Sequence, residues 1–193
     1  MHNAPCIGFA LLALGNLRIA QAAAGENEGD TRFPERARAT LRRVLILPGL
    51  ESDTRTECHL AQAHVLLLFG ELDAAYQEAM QALEDAHRYE LMWTVVRCQR
   101  LIGSILAVLG QEEEAHRYFE QALQTQHRCG MRLEYARTLH DYGKALLYGS
   151  SPLEPDHQQG LKYLQEARQL FSECGATNDL QAVERMLTTH LHS

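Results

Sequence analysis

The chain repeats one pattern of small and large apolar positions. Ala75, Ala79 and Ala82 return as Ala115, Phe119 and Ala122 and again as Gly160, Leu164 and Ala167, with a degenerate earlier copy in Ala37, Leu41 and Val44. Gln81-Ala82-Leu83 with His87-Arg88 recurs as Gln121-Ala122-Leu123 with His127-Arg128. This shift of 40 residues also takes Arg97 to Arg137, Gly103 to Gly143, Gly70 to Gly110 and Cys58 to Cys98. Spacings of three and four put each triplet on one helical face, and small side chains at its ends let a neighbouring helix come close. A second series, Ala63, Gly103 and Gly143, marks the middle of the preceding helix in each pair. Gly70-Glu71-Leu72-Asp73 and Gly110-Gln111 supply tight turns, because glycine takes the left-handed conformation that ends a helix.

These helices pair as antiparallel hairpins, each too thin to bury its own apolar face, so the hairpins must stack. The pattern predicts an all-α fold, a right-handed α-α superhelix in one domain over 1–193. Its hairpins run approximately 5–47, 55–88, 93–128 and 132–174, and a capping helix follows at 178–191, where Leu180, Val183, Leu187 and Leu191 keep helical spacing. Two segments rich in turn formers and charge, 25–33 and 149–156, read as surface loops. The apolar run Ile7 to Leu14 lacks a preceding Lys or Arg and is interrupted by Asn16 and Arg18, which argues against a secretory leader. No stretch approaches the roughly 20 apolar residues that span a bilayer.

Gly103, Ala115, Phe119 and Ala122 match the small residue of the first helix and the alanine, aromatic, alanine series of the second helix in the tetratricopeptide repeat, which the chain resembles over most of its length. The longer period, and Leu-Gly followed by an acidic turn as in Val108-Leu109-Gly110-Gln111-Glu112, resemble the MalT-like variant of bacterial signalling ATPases and LuxR-type regulators. The resemblance implies that the first helices line a concave surface, where basic residues hold the carboxylates of a peptide.

Composition agrees with helix. There are 30 leucines and 24 alanines, and β-branched residues are few. A net charge of -7 excludes a general nucleic-acid binder, which needs surplus Lys and Arg to displace counterions from phosphate. Residues 57–193 hold 11 basic and 19 acidic side chains, against 7 and 6 in residues 1–56. The five cysteines are widely spaced with no CxxC pair, which points to reduced thiols in the cytoplasm.

Ten histidines and five cysteines invite a metal reading, but their spacing gives no ligand set. GxSxG and Walker patterns are absent as well, so no catalytic residue, metal or cofactor is expected and the protein is not read as an enzyme. Glu112-Glu113-Glu114 open a helix, where carboxylates complement the dipole, and read as a solvated run.

One constellation remains. Around Gly103 stand Arg97, Arg100 and Ser104; around Gly143 stand Arg137, His140 and Lys144; each trio has the i, i+3, i+7 spacing of one helical face. The corresponding positions around Ala63 are Glu57, Leu60 and His64. Through the resemblance, Arg97, Arg100, Ser104, Arg137, His140, Lys144 and His64 are the expected binding residues for a protein or peptide partner, an acidic segment by preference. A structural alternative pairs the same arginines with acids such as Glu134 or Glu90. The expected function is a non-catalytic interaction module, the sensor or scaffold part of a bacterial regulatory protein. The second reading is a small-molecule effector-binding regulatory domain. Neither nucleic acid nor membrane is expected as a partner, and homo-oligomerisation is left open.

Overall fold

The computed structural model describes residues 32–149 and 154–191, and all of their regular structure is helical. Eight helices follow one another: α1 (Arg32–Leu45), α2 (Ser52–Leu68), α3 (Leu72–Arg88), α4 (Met92–Val108), α5 (Glu112–Arg128), α6 (Arg132–Tyr148), α7 (Glu154–Glu173) and α8 (Thr177–Leu191). Helices α2 to α6 all have 17 residues and begin at intervals of 20, so the 40-residue sequence period is one hairpin and its half is one helix with its turn. The expected helix at the start of the first hairpin and the apolar run Ile7 to Leu14 lie outside the described residues.

Five helix ends share one device. The residue after the helix stop takes a left-handed backbone, and the next amide reaches back five residues: Glu71 to the Leu66 carbonyl at 3.0 Å, Gln111 to Leu106 at 2.9 Å, Met131 to Gln126 at 2.9 Å and Ala176 to Phe171 at 2.9 Å. Gly70 and Gly110 sit there at φ 72° and 74°. At the α3–α4 turn the same place is held by Glu90, at φ 56°, with Leu91 bonded to Ala86 at 2.8 Å. Glu90 lies 40 residues before Gly130, so duplication kept the turn and lost the residue type that suits it.

The repeated triplets are the packing stripes. Ala37, Leu41, Val44, Ala75, Ala79, Ala82, Ala115, Phe119, Ala122, Leu164 and Ala167 are all buried. Contacts divide the chain into two compact units, residues 1–98 and 99–193, with the division inside α4. In the first unit α1 packs on α2 and α2 on α3. Its core joins Ala37, Leu41, Val44 and Leu50 to Cys58, Ala61 and Val65, with Leu45 and Phe69 at the edge. In the second unit α5 packs on α6, α6 on α7 and α7 on α8. A Cβ added at Gly103 would lie 3.1 Å from the Phe119 ring, and one at Gly143 would lie 2.9 Å from the Gly160 carbonyl, so α6 and α7 touch backbone to backbone.

The tetratricopeptide-type superhelix with a capping helix does not stand as the fold class. The structure supports an all-α fold, eight helices among the described residues, in two compact units. Within α4, Val95, Val96 and Cys98 are buried before the division and Leu101, Ile102, Ile105 and Leu106 after it.

Candidate functional site

The cationic positions expected to face a ligand are met by acids of the chain itself. In the first unit Arg97 Nη1 lies 2.7 Å from both carboxylate oxygens of Glu57, and Thr94 Oγ1 donates to the same carboxylate at 2.8 Å. In the second unit Arg100 Nη1 bonds Glu134 Oε2 at 2.8 Å while its Nε lies 3.4 Å from Asp141 Oδ2. Glu134 Oε1 accepts from Arg137 Nη1 at 2.8 Å, and Arg137 Nη2 reaches Asp179 Oδ2 at 3.1 Å. His140 Nδ1 lies 3.0 Å from Asp141 Oδ1. Ser104 Oγ donates to the Arg100 carbonyl at 3.1 Å, and His64 Nδ1 lies 3.0 Å from the Leu60 carbonyl. Lys144 is exposed.

The Arg100 and Glu134 side chains are only 11 % and 10 % exposed, so this network belongs to the packing of α4, α6 and α8. Burial alone would raise the Asp141 pKa, but the hydrogen bond and charge of His140 and the charges of Arg100 and Lys144 hold it below the usual carboxylate range. Burial would lower the Arg137 pKa, yet Asp179 and Glu134 raise it. Arg97, Arg100 and Arg137 each have a carboxylate within hydrogen-bond distance, as in a structural network.

A different feature of the second unit has the form of a binding site. A cavity of about 310 Å³ opens at α5 and α6, its apolar lining made by Ala107, Ala115, Phe119, Tyr142, Ala145 and Leu146. Tyr142 stacks on Phe119 with ring centroids 4.7 Å apart and planes at 12°, and its hydroxyl is hydrogen-bonded to Nδ1 of His116. Glu112, Glu113 and Asp156 contribute carboxylates to the lining, and no Lys or Arg is part of it among the described residues. The first turn of α5 places both glutamates there, with Glu114 beside them engaged by Arg117 at 3.0 Å. Carboxylates beside small apolar side chains suit an organic cation, through charge and apolar contact. A larger hollow of about 910 Å³ follows Gln181, Glu184, Arg185, Thr188 and Thr189, but these form one face of α8, and a single helix encloses nothing.

Ala115 and Phe119 are legible in the sequence as packing residues and the glutamates as a helix start, whereas Tyr142 and His116 are not. The available signal was that Tyr142 stands 40 residues after Ile102, a polar aromatic where the previous hairpin has an aliphatic residue.

No family model matches the chain, and no curated protein matches it. Among solved structures, the crystal structure of BtubC (BKLC) from P. vanneervenii superimposes with a TM-score of 0.58 at 17 % identity, over 93 % of this chain and 80 % of that one. The likeness is one of fold. It overturns the assignment to the MalT-like tetratricopeptide regulators, which no family model supports, and with it the descriptions as a repeat solenoid and signalling regulator. The expected sensor or scaffold that holds an acidic peptide in a concave groove, and its effector-binding alternative, are corrected on the same finding; the physical reason lies in the ion pairs just described, which occupy Arg97, Arg100 and Arg137. Among the described residues no helix is long and apolar enough to cross a membrane, and no three His, Cys, Asp or Glu side chains gather as a metal would require.

Proposed function

We propose that the chain is a non-catalytic assembly subunit that joins another protein by seating a basic side chain of that protein in the α5–α6 cavity. The observation that carries this reading is the pairing of small and aliphatic lining residues (Ala107, Ala145, Leu146) with the carboxylates of Glu112 and Glu113, with no Lys or Arg among the described lining residues. A volume of about 310 Å³ lies at the small end of ligand cavities, suited to one long side chain and its charged head. Charge-assisted hydrogen bonds from a guanidinium or ammonium group to the glutamates are worth roughly 1.5–3 kcal/mol each when shielded from water. A cytoplasmic location fits this role, supported by the buried thiols of Cys58 and Cys98, which burial first of all pushes up to about 12 and keeps protonated.

Calorimetric titration with a short, end-blocked peptide carrying two adjacent arginines tests the reading, with a diglutamate peptide as control. Saturable binding of the arginine peptide, lost in Glu112→Gln/Glu113→Gln and in the cavity-filling Ala145→Trp, is the expected result. Equal binding by all three proteins contradicts it.

A further inference from the structure

We infer that the basic partner is a second copy of this chain, whose Arg42–Arg43 corner at the end of α1 docks on the acid-rimmed cavity of the first; the inference rests on the proposed role of that cavity. Helix α1 carries five arginines, Arg32, Arg36, Arg38, Arg42 and Arg43, against the one acid Glu35, in a chain whose net charge is -7. Arg38 is engaged within its own unit, bonded to Glu71 at 2.8 Å. Arg42 and Arg43 are exposed in the last turn.

Cations at a helix C-terminus complement its dipole and often do nothing more. Here they have an apolar companion. Ile46, four residues after Arg42 and just beyond the helix, is 80 % exposed, the most exposed large apolar side chain among the described residues. An aliphatic side chain beside two guanidinium groups matches the cavity twice, apolar surface against Ala107 and Ala145 and positive charge against Glu112 and Glu113. The two patches differ, one in each unit, so the contact is heterologous and its two sides can be altered independently.

Sedimentation velocity of the full chain over a range of concentrations, at low and high salt, tests the inference together with two charge-reversed variants, Arg42→Glu/Arg43→Glu and Glu112→Lys/Glu113→Lys. Circular dichroism confirms that each variant is folded. The wild type is expected to associate reversibly, more weakly at high salt because exposed charges are screened beyond roughly 10 Å at 0.1 M. Each variant alone should associate about tenfold more weakly or worse, and an equimolar mixture should recover association, since each supplies the intact patch that the other lacks. A wild type that stays monomeric, or variants that associate as it does, overturns the inference. If the arginine peptide still binds a monomeric wild type, the cavity reading survives and only the identity of the partner falls. If the peptide fails as well, both fall.

Discussion

Replacing Gly143 with alanine tests the closest helix contact in the second unit. The added Cβ would stand 2.9 Å from the Gly160 carbonyl oxygen and 3.0 Å from Leu164 Cγ, and the Cβ of a Gly160→Ala variant would in turn lie 3.0 Å from the Gly143 carbonyl. Overpacking of this kind costs about 1–3 kcal/mol. Alanine regains about 1 kcal/mol of helix propensity over glycine. The obstacle at Gly143 is backbone, which no rotamer change relieves, so the cost belongs in the upper part of its range and the net loss is about 1–2 kcal/mol. For a chain of this length 1 kcal/mol moves the melting temperature by about 2–4 °C, giving an expected drop of roughly 2–8 °C. Gly103→Ala is the comparison, because the nearest atoms to its Cβ belong to the Phe119 ring at 3.1 Å, side chain where Gly143 meets backbone. Thermal melts followed by the helical circular-dichroism signal decide between them. A Gly143→Ala protein as stable as the wild type, or no less stable than Gly103→Ala, would refute the backbone contact between α6 and α7.

Arg100→Met should destabilise by about 1.5–3 kcal/mol, because it removes a buried ion pair and leaves Glu134 to Arg137 alone, whereas Arg97→Met, at a pair 30 % and 22 % exposed, should cost less; denaturant midpoints that reverse this order contradict the assignment of the network. Asp141 has a native pKa below its ordinary value of 3.8, so the stability it adds is complete above that value and is lost as pH falls through the lower native one. Asp141→Asn should therefore flatten the acid end of the stability–pH curve, and an unchanged curve would show that Asp141 is not coupled to His140 and Arg100. Thiol reagents should modify Cys129 and Cys174 in the native protein near neutral pH and reach Cys58 and Cys98 only on unfolding, because burial protects the latter pair and holds them protonated. Rapid native labelling of Cys58 would contradict the packing of α1 on α2.

The parts of the structure written in local spacing were readable before any coordinates. Gly70 and Gly110 mark helix ends because a left-handed residue is needed there, and the Ala115–Phe119–Ala122 series is buried because three and four residues make one helical face. Glu90 shows where this logic stops: its sequence gives no turn signal, yet the helix on either side imposes the glycine-like backbone. The ion-pair partners of the charged positions were hard to read for a different reason. Arg97 and Arg137 recur at one helical register and Arg100 lies one turn on, and although Glu134 is three residues from Arg137, the other acids lie 40, 34 and 42 residues away, Glu57 from Arg97, Glu134 from Arg100 and Asp179 from Arg137. Which carboxylate reaches which guanidinium depends on how neighbouring helices are offset, and spacing along one helix does not contain that. The cavity was hidden likewise, since Tyr142 and His116 meet across 26 residues, and glutamates at a helix start look alike whether they face water or a partner.

Amide chemical-shift mapping of the isotopically labelled full chain, titrated with the end-blocked diarginine peptide, addresses the cavity most directly. Shifts should concentrate on Glu112, Glu113, Phe119, Tyr142 and Ala145 and vanish in Ala145→Trp. No shifts at these amides, or shifts centred on Arg97, Arg100 and Arg137, would contradict the cavity as the site of assembly.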